Sequence, residues 1–265
     1  MLGAGYSADE LYMENITNNT FRLHNHDEYE IYLFLEGDSK YIVEENVYNL
    51  EPYDMIIIRK HEMHRIYHNS NTAYRRFVLM VSPEYFKSCP EYEEVFLNPS
   101  INKGNKINSD IVRSSGIYDA VKRLKKYSDG FEISDTPVIN GTITEILYIL
   151  NSISHFTVGE VSNNQLKEVI SYINNNYTDE ITLDILEEKF YISKYHLCRI
   201  FKEATGLTVQ NYIRQKRLTY VAELKRQGKN FTEAAVLAGF NDYSSFYRAY
   251  MNKHKKSPKN DLIYP

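Results

Sequence analysis

Two sets of residues in this chain have types and spacings suited to chemistry. The first is His24-x-His26-x3-Glu30, with Gly37 six residues beyond and His64 past a Pro52-Tyr53-Asp54 turn. Imidazole and carboxylate are side-chain types that suit Mn, Fe, Ni or Zn. The polar lining of a metal-free small-molecule pocket uses the same types and is the leading reading, and five of the eight histidines fall in 24–68. The second set is a repeat. A shift of 49 residues lays Ser193 on Asp242, Leu197 on Phe246, Arg199 on Arg248 and Phe201 on Tyr250. An arginine fork matches guanine, and a tyrosine offers an apolar edge and a hydroxyl to a base. No nucleophile–base arrangement or phosphate-binding glycine loop accompanies either set.

The elements that must carry these residues fall into two textures. Residues 20 to about 82 read as β: Ile31–Leu35, Tyr41–Val43, Met55–Ile58 and Phe77–Val81 are rich in β-branched and aromatic residues. Close, even spacing of short strands suggests a sandwich or barrel. From about 83 the period becomes helical, with Ile111, Ile117, Val121 and Leu124, then Val138, Ile143, Ile146, Leu147, Leu150 and Ile153. Those helices fit two roles, covering the β unit or pairing with a second subunit. Gly159–Asn164 reads as a linker. Beyond it Leu166, Val169, Ile170 and Ile173 mark one helix. Thr182, Ser193, Thr208, Thr232 and Asp242 are the expected caps of five more, with Gly206 and Gly228 as stops. Short capped helices on tight turns spell two helix-turn-helix units. The helix between them, about 30 Å over 208–227 at 1.5 Å per residue, approaches the ~34 Å of one duplex turn.

Charge follows the same division. Of 265 residues with net charge −4, residues 161–265 hold 16 Lys and Arg against 11 Asp and Glu, and residues 1–160 hold 15 against 24. A polyanionic partner therefore belongs to the second half. Cys89 and Cys198 lack metal spacing and fit a reducing cytosol. No signal-like leader or ~20-residue apolar run is seen, so a cytoplasmic protein without a membrane partner is expected. Tyrosine is plentiful at 24, with no tryptophan. Tyr29, Tyr32, Tyr41 and Tyr48 could stack on a polar ligand or simply build the sheet.

The runs ISKYHLCRIFKEATGLTVQNYIRQKRL and AAVLAGFNDYSSFYRAYMNKHKKSP resemble the DNA-binding domain of AraC-type (AraC/XylS) regulators over about a hundred residues. Ser193, Leu197, Arg199, Phe201-Lys202, Gly206 and Tyr212 follow the pattern, as do Gly239-Phe240, Asp242, Phe246, Arg248 and Ser257-Pro258. Departures at Met251, Asn252, Lys255 and Asp261 point to weaker binding by the second unit or a different cap on its last helix. The resemblance implies base contacts at Tyr195, Cys198, Arg199, Tyr243, Ser244 and Arg248. Helical spacing adds Tyr247 to the outward face, with Lys194 and Lys202 on phosphates. The β half resembles a cupin barrel, which such regulators often carry, although Tyr53 stands where glycine is usual and Lys60-His61 where Pro-Gly is frequent.

The expected fold is α+β: a cupin-like barrel with accessory helices, then an all-α domain with two helix-turn-helix units. The expected boundaries are 1–106 for the barrel, 107–160 for a dimerisation or linker segment and 161–265 for the DNA-binding domain. The expected function is a regulator of transcription, not an enzyme. Its two units read adjacent major grooves of promoter DNA, and its barrel senses a small molecule such as a sugar through His24, His26, Glu30, Tyr32 and His64. No cofactor is expected, and a metal held by His24, His26, Glu30 and His64 is the minor reading. A homodimer is expected, with RNA polymerase a further candidate partner. The alternatives are a metal-dependent cupin enzyme with a helical appendage and a constitutive DNA-binding protein whose barrel only dimerises.

Overall fold

The computed structural model describes residues 5–17, 21, 23–97, 104–129, 132, 135–153, 156–157, 159 and 164–258. Two compact units emerge, Met1–Arg22 with Glu28–Glu160, and Leu23–Asp27 with Val161–Pro265.

The first unit holds β1 (Tyr6–Met13), β2 (Tyr29–Glu36), β3 (Ser39–Val43), β4 (Asn46–Asn49), β5 (Met55–Ile58), β6 (His64–His68) and β7 (Tyr74–Val81). After α1 (Glu94–Leu97) comes the short β8 (Lys106–Ile107). One sheet runs β1-β7-β2-β5-β8 and the other β4-β3-β6. The apolar runs of the sequence lie in β2, β3, β5 and β7. β1 was not among them, because YSADELYM carries small and charged residues. It is an edge strand, antiparallel to β7 from Tyr6↔Val81 to Met13↔Tyr74, and an edge tolerates such residues on its open side.

Strand alternation divides β2 cleanly. Tyr29, Ile31 and Leu33 join one core cluster with helix residues, whereas Tyr32 and Phe34 join another with Tyr41, Val43, Tyr48 and Ile66 of the facing strands and Tyr74 of the neighbouring β7. The helical side is covered by α2 (Ser109–Ser114), α3 (Ile117–Ser128) and α4 (Thr136–Ser152). Ile143, Ile146, Leu147 and Leu150 are fully buried in that first cluster. The stripe on which subunit pairing was expected is thus spent inside the unit. The large apolar side chains that α4 exposes are Val138 (46 % exposed) and Tyr148 (63 %).

Among the inward groups of the barrel, His68 is buried, shares a hydrogen bond of 2.8 Å between Nδ1 and Ser39 Oγ, and lies edge-on to Tyr74 at 4.7 Å. Burial, reinforced by the Arg65 charge, pushes its pKa down to about 4.

The second unit is helical: α5 (Asn164–Asn176), α6 (Leu183–Phe190), α7 (Lys194–Thr205), α8 (Val209–Arg226), α9 (Phe231–Leu237) and α10 (Tyr243–His254). Four expected caps are in place. The side chains of Thr182, Ser193, Thr208 and Asp242 accept from the amides of Ile185, His196, Asn211 and Ser245. Thr232 is not a cap. Asn230 takes that role, its Oδ1 accepting from Glu233 N at 2.9 Å. Measured from cap to cap, the repeat is therefore 48 residues at the first helices and 49 at the second. The extra residue lies in the second turn: left-handed Tyr191 precedes its cap by two positions, left-handed Gly239 by three. Lys255, where glycine is usual, ends α10 in the left-handed region at φ 58°.

A clasp joins the two helix-turn-helix units. Arg217 of α8 donates from Nε to the Tyr177 carbonyl (2.6 Å) and from Nη2 to the Asp179 carbonyl (2.7 Å). Gly239 abuts the carbonyl between them, since a Cβ there would lie 2.3 Å from the Thr178 oxygen. Around the clasp, Leu218, Val221, Leu224, Ala234, Ala235, Phe246 and Tyr250 form one core. Phe201 meets Tyr212 edge-on at 5.4 Å, and Tyr212 donates to Asn174 Oδ1. Residues 23–27 pack with this unit. Thr219 Oγ1 donates to Asn25 Oδ1 at 2.8 Å, and Arg226 pairs with Asp27 at 3.3 Å.

Two outcomes follow from this packing. Gly239→Ala is expected to destabilise the second unit by ~2 kcal/mol or more in chemical denaturation, from backbone strain and a backbone clash together. Gly116→Ala, at φ +87° with open space around it, carries the strain alone and should cost less. Equal costs would contradict the clasp. The second outcome concerns pH. His68 stays neutral in the fold down to about pH 4, while an unfolded histidine protonates near pH 6.5. The unfolded state therefore binds more protons across that window, and its contribution to stability falls as pH drops. His68→Gln should flatten the decline of the barrel's denaturation midpoint between pH 7 and 5; an unchanged decline would show that other groups set it.

Candidate nucleic-acid interface and barrel interior

The capped helices α7 and α10 each bury one face. Leu197 and Phe201 are inward on α7, and Phe246, Ala249 and Tyr250 on α10. On α7 this leaves Tyr195 (82 % exposed), Cys198, Arg199 and Lys202 outward. Cys198 is a free thiol. Arg199 is held against its own helix, Nη1 to Glu203 Oε1 at 3.2 Å and Nη2 to His196 Nδ1 at 3.1 Å. An incoming base or phosphate has to displace Glu203. Lys194 is also engaged, paired with Asp184 and, at 3.6 Å, with Glu187 of α6. It ties the two helices of the first unit together as well as carrying charge.

On α10, Ser244, Tyr247 and Arg248 are outward. Tyr243 is half-buried, its ring 5.6 Å from Phe246 and 6.2 Å from Tyr247. It shapes the start of this helix as much as it offers an edge. Of the departures from the family pattern, Asp261 lies outside the described residues.

A polar cleft of about 390 Å³ separates α8 from α10, and Arg248 lines it together with Gln210, Arg214, Arg217, Asn241 and Asn252. Arg217 is committed to the clasp, whereas Arg214 donates to Asn211 Oδ1 at 2.8 Å, on its own helix. Sequence reasoning gave α8 the part of a spacer and missed this side. The signal was present in Gln210, Arg214 and Arg217, which recur at helical spacing.

The five residues expected to hold an effector are divided between the units. His24 (exposed) and His26 (half-buried) belong to the segment grouped with the second, their rings 5.9 Å apart. Glu30, Tyr32 and His64 are buried on the inner side of the barrel. There His64 Nε2 lies 3.3 Å from Glu30 Oε2, and Tyr41 donates to Glu30 Oε1 at 3.3 Å. His64 Nδ1 donates to the Glu62 carbonyl at 2.8 Å. Tyr32 and Tyr74 share a hydrogen bond of 2.9 Å between hydroxyls. A buried carboxylate needs such partners. Burial alone would lower the His64 pKa, but the hydrogen bond and charge of Glu30, with Glu62 behind, outweigh it and raise the pKa above the ordinary value. Burial pushes the hydroxyls of Tyr32 and Tyr41 well up, so both remain proton donors.

Of the four tyrosines singled out in the barrel segment, Tyr29 faces the helices, stacked on Phe96 at 4.2 Å and donating to Glu93 Oε1. Tyr48 braces Asn105, whose amide oxygen accepts its hydroxyl at 3.0 Å. Both build the sheet. Tyr32 and Tyr41 face inward with the Glu30–His64 pair.

Comparison with known proteins agrees with this division. Residues 8–130 match the AraC-like ligand binding domain and residues 186–261 the helix-turn-helix domain. The HTH-type transcriptional activator RhaS of Citrobacter koseri is 23 % identical over 250 residues, covering 92 % of this chain and 88 % of the relative. RhaS of Escherichia coli is 22 % identical over 245 residues, covering 90 % and 86 %. Among solved structures, ToxT from Vibrio cholerae aligns over 96 % of both chains at 12 % identity, with a TM-score of 0.40. No helix among the described residues is long and apolar enough to cross a membrane. The relatives are named as transcriptional activators and both domains are of regulatory type, which sets aside the metal-dependent enzyme. With a ligand-binding barrel followed by two helix-turn-helix units, the chain belongs to the AraC family of transcription regulators.

Proposed function

We propose that this regulator binds promoter DNA through both helix-turn-helix units at once, α7 and α10 entering successive major grooves on one face of the duplex. The observation that carries this reading is the clasp of Arg217 and Gly239 on residues 177–179, which makes the two units one body. α8, 18 residues long, spans about 27 Å at 1.5 Å per residue, on the scale of one duplex turn. Tyr195, Cys198 and Arg199 of α7 and Tyr243, Ser244 and Arg248 of α10 take base edges, with Tyr247 beside them. Lys194 and Lys202 take phosphates, and the α8–α10 cleft adds Arg214 to that set.

The barrel is the sensor. Its effector meets Glu30, His64, Tyr32 and Tyr41 on the inner side of β2, β3 and β6. Donors and a carboxylate in a buried setting suit a polar, hydroxyl-bearing molecule such as a sugar. The effector shifts the balance between states only in so far as it binds one of them better. A homodimer remains part of the proposal, with the outward side of α4, at Val138 and Tyr148, as its surface. RNA polymerase is the further partner proposed for a regulator bound at a promoter.

Arginine variants test the DNA reading. Arg199→Ala or Arg248→Ala is expected to cost ~1–3 kcal/mol at the specific site and to relax selectivity at one base pair each. Lys202→Ala should weaken all sequences alike and lower the salt slope by about 1. Glu203→Gln, which frees Arg199 and removes a negative charge, should tighten binding. Gel-shift titrations at two salt concentrations read all four, and unchanged affinity in both arginine variants would overturn the reading.

A further inference from the structure

A cleft of about 410 Å³ opens in the first unit on the helix-facing side of the larger sheet, where α3 crosses β2 and β7. It is separate from the barrel interior. Leu33 and Leu35 line it, whereas Tyr32 and Phe34, alternating with them on β2, belong to the inner core. Its volume is in the range of small-molecule sites, and its lining follows their usual composition of apolar surface with a few convergent charges.

The floor is Leu33, Leu35, Phe77 and Val121. The rim carries three cations, Arg75, Lys122 and Lys125, against two carboxylates, Glu10 and Glu36. Glu10 shows what this rim holds: its carboxylate receives Arg75 Nε at 2.5 Å and also pairs with Lys125. Those two cations keep its pKa below the ordinary value although burial alone would raise it. Lys122 pairs with the exposed Asp119 at 2.6 Å, and its ammonium lies 4.7 Å from the centre of the Tyr118 ring.

The wall is aromatic and built at a conformational cost. Tyr53 has φ +76°, the left-handed region that favours glycine. Its amide donates to the Phe34 carbonyl at 2.7 Å, its ring stands edge-on to Tyr118 at 4.9 Å, and Arg113 lies over it at 4.0 Å. A glycine would close the same turn without strain, so the turn does not account for the tyrosine. Strained positions of this kind persist where a side chain is needed.

We propose that this cleft is a second small-molecule site, taking an amphipathic carboxylate. Its flat or alkyl body lies on Leu33, Leu35 and Phe77 against the edge of Tyr53, and its carboxylate meets Lys122 and Lys125. Because the site joins α3 to the sheet, its occupant holds the helical cover of the barrel in place and so acts independently of a polar effector within.

Calorimetric titration of the full chain with octanoate and with 2-naphthoate, against 1-octanol and 2-naphthol as uncharged counterparts, tests the site. Saturable binding of at least one carboxylate is expected, at least 10-fold tighter than its uncharged counterpart. Tyr53→Gly should keep the far-ultraviolet circular dichroism of the parent, since glycine suits that backbone, and weaken binding at least 10-fold. Lys122→Gln should weaken the carboxylate and leave the alcohol unchanged. Tyr41→Phe, on the inner side of the barrel, should leave carboxylate binding at parental strength. No saturable binding by either acid, equal binding of acid and alcohol, or loss in Tyr41→Phe with retention in Tyr53→Gly would each overturn the assignment.

Discussion

The grip on three consecutive carbonyls, at Tyr177, Thr178 and Asp179, is the constraint on which the second unit depends. The fork of Arg217 takes the outer two, and the missing side chain of Gly239 lets the turn of the other helix-turn-helix unit close on the middle one. A guanidinium is suited to this because its donors diverge in a fixed plane. A lysine would offer its donors from a single nitrogen on a flexible stem, without that fixed plane. Without the grip, α8 would join two small helical units through its own core contacts alone. With it, the turn before α6, the middle of α8 and the turn before α10 are fixed together, and so are the two helices that present Arg199 and Arg248.

The first unit follows a different rule, in which one strand serves two interiors. β2 sends Ile31 and Leu33 toward the helices and Glu30, Tyr32 and Phe34 toward the facing sheet. Burying Glu30 is tolerated because His64 and Tyr41 both reach it. Polar groups satisfied by one another in this way can exchange partners with a ligand at modest cost, which is why the inner side suits a sensor. The helical side is mainly apolar, with polar contacts at Tyr29 and Glu93, at Tyr85 and Thr144, and at the rim of the cleft near Tyr53.

Much of the recognition surface was legible in the residue pattern because caps are local. Thr182, Ser193, Thr208 and Asp242 each act within three residues of themselves. Thr232 misled because its residue type suits a cap, whereas ahead of the longer second turn the repeat is 48 residues and lays Thr182 on Asn230. Periodicity identified the buried face of α4 but not what buries it; Ile143 and Leu147 cover a sheet, where the same stripe would equally fit a second subunit. β1 escaped notice because edge strands need little apolar sequence. Lys194 read as free charge, since its partners Asp184 and Glu187 lie on a neighbouring helix that spacing alone does not bring near. Arg217 and Tyr53 each left a trace, one in the helical spacing of Gln210, Arg214 and Arg217 and the other in a tyrosine where glycine is usual, but the backbone carbonyls and the backbone dihedral that give them their roles are not encoded in side chains.

The most direct test of a rigid, two-headed reader is to select bound duplexes from random DNA with the full chain and then vary the spacing of what is recovered. Two short blocks whose centres lie about 10 base pairs apart are expected, and five base pairs inserted between them should remove the contribution of one block. Recovery of a single block, or indifference to the insertion, would contradict it.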